Sequence, residues 1–454
     1  MDDAARSPLL SRRRALRLGL GATLGAAALP LLAACGSAGA PAAAPTAAPA
    51  KPAEASKPAE SKPAEAAKPA ESKPAQAAPA AQSKVSEVNV AALFPLSGDL
   101  ARPGETCLNA AKLGADDINE AGGIKALGGA KINLISSDLR SDDKVTRTET
   151  ERVLTSQKIT AVNGCYASAL SLVASEVTER EKVPIVTGSI TNPLIERGFK
   201  YIFQVAPRAS QFGEAQVKLA QEVAADQRRV AVVYENTAYG STTSKGVQDE
   251  AQKQGLEVTL FEAYEKSFTD AGPLVNKIKA GNPGVLFPIS YPNDFALIVR
   301  SLKQQNVKVP IIAGGAGPLF PEFGKNFGED ANGILSIGSW SKDLNQETLE
   351  VDKRYRARHG EFIQEHAGEV YVFMWLIADA IERAGSAEPQ AVRDALAQTN
   401  LSQGFGGAMP NGKVQFDERG WNSGAFPVGV QWQAGDLVTV YPKDVAKAAI
   451  VKPV

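Results

Sequence analysis

Hydroxyl side chains follow two neighbouring predicted strands in the middle of the chain. Ser168 stands at the N-cap position of a helix, and Ser189 and Thr191 lie in the loop after a strand at residues 183–186. Parallel strands joined by a helix place the loops that follow them at the same carboxyl edge of the sheet, so we expect the three hydroxyls to converge. Hydroxyls beside free helix N–H groups suit a carboxylate or another small polar anion. Alternatively, Ser168 only caps its helix and Thr191 only shapes a turn before Pro193.

Strands and helices alternate on both sides of these hydroxyls. Apolar strands are predicted at 88–94, 132–135 and 159–162, with helices between them, and the same rhythm starts again after Pro207. Such a βαβα series predicts a parallel sheet with helices on both faces, and its repetition predicts two lobes. Past Gly333 helices predominate, at 349–359, 370–384 and 390–398. We expect them to return to the first lobe, which still lacks covering helices.

We therefore predict an α/β fold of two doubly wound parallel-sheet lobes joined by a multi-segment hinge. Lobe 1 is predicted to comprise residues 85–206 with 337–427, and lobe 2 residues 207–336 with 428–454. A few residues at the ends of the crossing segments can absorb a rotation of one lobe against the other. The two lobes are expected to face each other.

The first 35 residues have the features of an export signal. Arginines at 12–14 and 17 flank the start of a Gly/Ala/Leu run at 18–32, which is too short and too weakly apolar for a membrane span. Small residues then lead to Cys35, as in bacterial lipoproteins, so residues 1–35 are predicted to be a lipoprotein signal peptide with lipidation at Cys35. The arginines resemble a twin-arginine signal, although Ala15 stands where that pattern prefers phenylalanine, and both export routes stay open. A chance cysteine after an alanine-rich run is the alternative.

Residues 36–84 consist almost entirely of Ala, Pro, Lys, Glu and Ser, with a recurring Lys-Pro-Ala-Glu unit. Without large apolar side chains this segment cannot offset the entropy of ordering, so it is predicted to be a disordered tether. Its prolines keep it semi-extended. We therefore expect an exported chain that is lipid-anchored on the outer face of the cytoplasmic membrane, in the periplasm or at the cell surface.

Charge and residue counts argue against several other classes. Lys and Arg total 49 against 50 Asp and Glu, so nothing favours nucleic acid as a partner. The two histidines, His359 and His366, lie in a charged helical region, so no metal site and no Ser-His-Asp triad is expected. Residues 314–317 are glycine-rich but lack the phosphate-loop pattern, and no cofactor is expected. Cys107 and Cys165 could pair or remain as buried thiols.

Several motifs in the right order and spacing link the chain from about residue 88 onward to a known family. These motifs are Pro95-Leu96-Ser97-Gly98, the segment DDINEAGGI at 116–124, Thr191-Asn192-Pro193, Arg197-Gly198, Tyr239-Gly240 and Ala384-Gly385-Ser386. With them the chain resembles the type I periplasmic binding proteins of ABC importers, in particular the branched-chain amino acid (leucine/isoleucine/valine) group. The lipoprotein leader agrees with this resemblance.

The resemblance implies that the ligand's carboxylate is held at the three hydroxyl positions, in agreement with the convergence argued from the residues. It also implies that Tyr239 and Tyr291 pack on the ligand and close over it. Tyr166 is a further candidate for the site because it stands beside Ser168 in the sequence. Without the resemblance, Tyr239 would be an ordinary helix-start residue and Tyr291 an ordinary turn residue.

Two positions depart from the leucine-type pattern. Pro103 stands where leucine-type binders place an aromatic residue, and Ala316 stands where an acidic residue would hold the ligand's ammonium group. A free amino acid would then bury its positive charge poorly unless another acid approaches. Glu369 and Asp99 are possible substitutes, although both could instead be solvated surface residues. The ligand could also be an amide, a urea-like compound or an aromatic carboxylate, all of which lack the ammonium.

The function expected from these features is binding and not catalysis. The chain, as a monomer, would capture a small polar ligand such as a branched-chain or related amino acid and deliver it to the permease membrane subunits of an ABC importer. A tethered ligand sensor would use the same fold and site. The competing class is an amidase-like enzyme, for which Asp138 and Glu235 are available acids, but neither lies beside an obvious nucleophile.

Overall fold

The first sheet forms from five short apolar segments. In the computed structural model, which describes residues 85–452, these strands are parallel in the order β2-β1-β3-β4-β5. The elements are β1 (Glu87–Phe94), α1 (Ala101–Glu120), β2 (Lys131–Asp138), α2 (Asp143–Ser156), β3 (Ile159–Gly164), α3 (Ser168–Glu181), β4 (Ile185–Thr187), α4 (Pro193–Glu196) and β5 (Ile202–Gln204). Residues 90–94 of β1 are all buried, because a parallel sheet is covered on both faces. The predicted signal peptide with Cys35 and the tether lie outside the described residues.

A second sheet begins after the chain leaves β5. Its elements are α5 (Ala209–Val223), β6 (Arg229–Glu235), α6 (Ala238–Lys253), β7 (Glu257–Tyr264), α7 (Gly272–Gly281), β8 (Val285–Ile289), α8 (Pro292–Gln304), β9 (Ile312–Ala313), α9 (Pro321–Phe327) and β10 (Leu335–Gly338). Strands β6 to β8 are parallel in the order β7-β6-β8, and a parallel bridge between Leu286 and Ile311 leads on to β9 and β10. The predicted fold class of two α/β lobes with parallel sheets is confirmed.

The rest of the chain completes both lobes. Its elements are α10 (Gln346–His359), α11 (Glu365–Ala384), α12 (Pro389–Ala397), β11 (Asn400–Leu401), β12 (Val414–Gln415), β13 (Val428–Gln433) and β14 (Asp436–Tyr441). Val351, Tyr371 and Leu396, one from each helix, share a buried cluster with Val90 of β1, so these helices supply the cover that lobe 1 lacked. β13 and β14 form a hairpin that gives the sheet of lobe 2 an antiparallel edge.

Within residues 85–452 the chain passes between the two sheets after β5, after β10 and before β13. Strand β10 pairs with β13 as far as Gly338, whose partner is Val428, and Ile337 pairs with Gly429. Ile337 and Gly338, which the sequence assigned to lobe 1, therefore lie in the sheet of lobe 2. The reason is that β10 continues its ladder to the edge of the sheet before the chain crosses.

Helix α11 begins at Glu365, before the start at residue 370 that the sequence predicted. The Gln364 side chain caps it by accepting a hydrogen bond from the His366 N–H. The first residues of the helix, Glu-His-Ala-Gly-Glu, include no large apolar side chain, and this composition concealed a helix start that is packed inside the protein. Glu369 is 0% exposed, so its interpretation as a solvated surface residue is wrong.

Candidate ligand-binding site

A cavity lies where the carboxyl edge of the first sheet meets lobe 2. It contains about 380 Å³ of space free of atoms. Lobe 1 lines it with the loops after β3 and β4 and with the start of α11, and lobe 2 lines it with α5, α6, the residue before α8 and the loop after β9. A second cavity with about 550 Å³ of such space adjoins it, and the side chain of Tyr291 lines both.

The structure places five of the six sequence-predicted site residues around the first cavity, namely Tyr166, Ser168, Ser189, Tyr239 and Tyr291. Thr191 is not among its lining residues. The Thr191 hydroxyl lies 3.3 Å from the Thr242 hydroxyl and 3.5 Å from the Ala238 carbonyl oxygen, both on α6. Thr191 therefore contacts lobe 2 directly, and the three hydroxyls do not all converge on the cavity.

One end of the cavity is the N-terminus of α3. The N-cap residue is Ala167, whose backbone is extended, and Ser168 is already the first helical residue, so the prediction that Ser168 is the N-cap is wrong. The side chain of Ala167 cannot cap this helix end. The Tyr291 hydroxyl lies near the Ser168 backbone N–H; burial raises the pKa of this hydroxyl, and the contact with the N–H lowers it to a smaller extent. The Ser168 hydroxyl makes no hydrogen bond to another described residue, and Ser168 is 3% exposed. A free helix N-terminus with a hydroxyl beside it suits a carboxylate.

The Ser189 hydroxyl belongs to a hydrogen-bonded group inside lobe 1. It lies 2.6 Å from the Ser171 hydroxyl of α3, and the Ser189 N–H donates to the Thr187 hydroxyl at 3.1 Å. These contacts hold the loop after β4 against the start of α3. They place Ser189 beside the helix end that Ser168 occupies.

Aromatic rings form a wall of the cavity beside this helix end. The Tyr291 ring lies 5.8 Å from the Tyr166 ring and 5.1 Å from the Tyr239 ring, between centroids. The Tyr239 hydroxyl donates to the Gly314 carbonyl oxygen at 2.8 Å, which fixes that ring, whereas the buried Tyr166 hydroxyl has no partner among the described residues. Burial raises the pKa of Tyr166 well above its usual value, so its hydroxyl stays a neutral donor. Phe212 of α5, which the sequence did not single out, completes the wall.

Acidic and imidazole groups line the cavity from the start of α11, and sequence reasoning missed two of them. Glu365 and His366 line it, and Glu369 lies behind them with its Oε2 3.2 Å from His366 Nδ1. Burial raises the pKa of Glu365 to about 7 despite hydrogen bonds from Ser339. Burial, followed by the charge of Glu365, raises the pKa of Glu369 well above its usual range. Burial lowers the pKa of His366 to about 4, so the imidazole is neutral at neutral pH.

The loop after β9 offers no acid to the cavity. Gly314, Gly315 and Ala316 line it from lobe 2, as the sequence indicated at Ala316. Of the two proposed substitutes, Glu369 is buried beside the cavity, whereas Asp99 lines the second cavity and accepts a hydrogen bond from the Ser267 hydroxyl at 2.8 Å. The acid that lines the first cavity, Glu365, therefore belongs to lobe 1.

The two acids considered for catalysis hold backbone in place. The Asp138 carboxylate accepts hydrogen bonds from the Ser97 hydroxyl at 2.7 Å and from the N–H groups of Leu96, Ser97 and Arg140. These bonds outweigh desolvation and lower the pKa of Asp138. The Glu235 Oε1 accepts from the Tyr291 N–H at 2.6 Å, and burial raises the pKa of Glu235 to about 8.

Three further features bear on chemistry. Cys107 and Cys165 are buried free thiols, and burial raises the pKa of Cys165 to about 12. Among residues 85–452 no group of His, Cys, Asp and Glu side chains is arranged to hold a metal ion. None of the helices in the same range combines the length and the apolar composition of a membrane span.

Known proteins share this sequence and architecture. A sequence model of the family described as periplasmic binding protein matches residues 87–427. The Leu/Ile/Val-binding protein homolog 8 of Brucella melitensis is 28% identical over 377 residues, which cover 80% of this chain and 92% of that protein.

Two solved structures have the same fold. The branched-chain amino acid transporter substrate binding protein LivJ from Streptococcus pneumoniae, in complex with isoleucine, aligns with a TM-score of 0.70 and 22% identity over 81% of this chain and 100% of that one. A solute binding protein of an ABC transporter from R. palustris, in complex with benzoate, aligns with a TM-score of 0.69 and 16% identity over 81% of this chain and 99% of that one. Together with the family match over most of the chain, the two lobes and the cavity between them show that this protein belongs to the periplasmic binding protein family, whose members act outside the cytoplasm.

Proposed function

We propose that this protein is the substrate-binding component of an ABC importer and that it captures a branched-chain or related amino acid between its lobes. The observation that carries the proposal is the cavity itself. It has an uncapped helix N-terminus with the Ser168 hydroxyl at one position and the carboxyl of Glu365 at another. An amino acid zwitterion presents the complementary pair of charges, and the three tyrosines can pack on its side chain.

The mechanism is capture by closure. Arg102 of α1 is paired with Glu322 of α9, and the Ser267 hydroxyl with Asp99, so the lobes touch around the cavity. A ligand stabilises this closed state only to the extent that it binds it more tightly than an open state. The closed form is then the form that docks on the permease membrane subunits and releases its ligand there.

The membrane attachment belongs to the same proposal. Cys35 carries the lipid, residues 36–84 act as the tether, and the remainder works as a monomer on the outer face of the cytoplasmic membrane. A lipid anchor with a flexible tether keeps the protein close to a membrane-embedded partner and leaves the lobes free to open and close.

An aromatic carboxylate is the second candidate ligand. The R. palustris structure contains benzoate, and the tyrosine wall together with the free N-terminus of α3 would suit such an acid. This ligand would leave Glu365 and Glu369 without a partner. Amides and urea-like compounds remain in the same group of ligands without an ammonium, and sensing would use the same site as transport.

A ligand screen on the chain from residue 36 onward tests the proposal. The protein is unfolded and refolded to remove bound ligand, and thermal unfolding is then measured with leucine, isoleucine, valine, amides, urea and benzoate. A ligand that binds only the native state raises the melting temperature by mass action. We expect the largest increase with a branched-chain amino acid. An increase with benzoate or amides alone would leave the family assignment intact and refute the amino acid as ligand.

A further inference from the structure

Two carboxyl groups lie on the first turns of α11 next to the ligand cavity, and we call Glu365 and Glu369 the acid pair. Glu365 lines the cavity and is partly exposed. Glu369 lies one turn further along, behind Gly188, where a Cβ built on that glycine would be 2.5 Å from Glu369 Oε2. Gly188 itself lines the cavity, so one member of the pair faces the cavity and the other lies behind its wall.

The acid pair lacks the partners that a buried carboxylate normally has. Neither oxygen of Glu369 has a hydrogen-bond partner among the described residues. Within residues 85–452 the basic group in ion-pair range is His366, and its imidazole is neutral. Glu365 accepts hydrogen bonds from the Ser339 N–H and, at 2.8 Å, from the Ser339 hydroxyl. Burying a carboxylate with so few donors is strongly unfavourable unless a proton or a cation satisfies it.

A purely structural role accounts for only part of this arrangement. An acid in the first turn of a helix interacts favourably with the helix dipole, which explains Glu365. That argument does not extend to Glu369, which lies in the second turn with both oxygens unpaired. A proton shared by the pair would remove one charge and leave the other carboxylate beside the cavity.

The neighbours of the acid pair also favour a positively charged group. The Tyr166 ring lies 4.9 Å from the His366 ring, edge to face, and both line the cavity. Aromatic rings attract cations through their faces. If His366 directs its Nδ1 proton to Glu369, its Nε2 is left as an acceptor for a second N–H.

We propose that the acid pair binds the ammonium group of the ligand, with Glu365 in direct contact and Glu369 positioning His366. This inference rests on the proposed function for the identity of the ligand. The ammonium would then bind to lobe 1. In the leucine-type pattern it binds to an acid in lobe 2, at the position where this chain has Ala316. Both ends of the amino acid then bind lobe 1 first, and lobe 2 contributes Tyr239 and Tyr291 on closure.

Three probes related to leucine test the inference by isothermal titration of the chain from residue 36 onward. Leucine carries both charges, isocaproate lacks the ammonium, and isoamylamine lacks the carboxylate. The variants are Glu365→Gln and Glu369→Gln, and Glu347→Gln in the exposed first turn of α10 is the control for the change in net charge. Circular dichroism and thermal unfolding show whether each variant is folded. If a variant does not fold, the comparison of leucine with isocaproate on the wild type still tests the inference.

We expect the wild type to bind leucine more tightly than isocaproate. Glu365→Gln should lose about 10- to 100-fold in affinity for leucine and isoamylamine and little for isocaproate, because a charged hydrogen bond is removed. Glu369→Gln should show the same selectivity with a smaller loss, because Glu369 acts through His366. The control variant should match the wild type. The inference is overturned if the acid-pair variants bind leucine like the wild type, or if the wild type binds isocaproate as tightly as leucine. Binding of isoamylamine through the acid pair without leucine binding would support the inference and refute the proposed function.

Discussion

Arg102 of lobe 1 and Glu322 of lobe 2 form a salt bridge across the cleft, with 2.6 Å between Arg102 Nη2 and Glu322 Oε1. The Arg102 Nε donates to the same oxygen at 2.7 Å, and the guanidinium also pairs with Glu361. Arg102 lies at the start of α1, beside the Pro103 that departs from the leucine-type pattern. The contact joins the two lobes, so opening of the cleft would break it.

Replacement of Arg102 by Ala should weaken ligand binding modestly and mainly by faster dissociation. The two side chains are 35% and 40% exposed, and such a pair contributes about 0.2–1 kcal/mol, so we expect a loss of no more than about fivefold. The loss should shrink at high salt, because salt screens exposed charges. Stopped-flow dissociation at low and high salt measures this. The control is Arg147→Ala, which breaks an exposed pair with Glu176 within lobe 1, and an equal effect of the control would contradict the prediction.

Ser168 and Thr191 should differ in their importance for the ligand. Ser168 lines the cavity, whereas the Thr191 hydroxyl faces Thr242 of α6. Ser168→Ala should lower the affinity for leucine and isocaproate by about tenfold, as expected for loss of a hydrogen bond to a charged group, whereas Thr191→Val should cost less than about threefold. Titration calorimetry of both variants measures these affinities. A larger loss in Thr191→Val would mean that Thr191 reaches the ligand, as the family resemblance implies.

The affinity for an amino acid should rise with pH through neutrality. Since burial raises the pKa of Glu365 to about 7, this carboxyl is partly protonated in the free protein. An ammonium binds the ionised form, so binding releases protons, and affinity should increase from about pH 6 to about pH 8.

The interpretation of this pH dependence depends on which ionisable groups near Glu365 change their protonation in the same pH range. Burial keeps the pKa of Cys107, Tyr166 and Tyr239 above the range of the experiment and that of His366 below it. Glu235, behind Tyr291, also titrates near neutrality, because burial raises its pKa to about 8, so the measurement is repeated in Glu235→Gln to isolate Glu365. Calorimetry in buffers with different ionisation enthalpies counts the released protons. Isocaproate should show no such release, and a leucine affinity that is independent of pH would refute the prediction.

Glu235 should make the free protein less stable as the pH rises. Burial raises the pKa of Glu235 from 4.5 to about 8. The folded state then holds the proton more tightly than the unfolded state, so this stabilising contribution is complete below about pH 4.5 and is lost as the pH rises through about 8. Glu235→Gln retains the acceptor for the Tyr291 N–H and removes the titration. Its melting temperature relative to the wild type should rise between about pH 5 and about pH 9, by several degrees at most. Thermal unfolding across pH, with the exposed Glu347→Gln as control, tests this, and parallel curves would argue against it.

The sequence by itself determined the fold and much of the cavity. Apolar strands that alternate with helices from residue 88 onward are compatible with few sheet topologies. In a parallel sheet the loops after β3 and β4 lie together at the carboxyl edge. Ser168 and Ser189 therefore lie beside one cavity, as expected from chain order alone. The positions of Tyr239 and Tyr291 came from the family resemblance, because one tyrosine at a helix start and another before a proline are common in any protein.

Only the tertiary structure decided which side chains face the ligand cavity. Thr191 turns toward α6 because the lobes meet at that point, and no local pattern contains this contact. Glu365 and His366 lie in a segment whose sequence is typical of a solvent-exposed helix start. The packing of α11 beside the loop after β4 nevertheless places them at the cavity. Burial depends on what another part of the chain places against a residue, and periodicity within one helix carries no information about that neighbour.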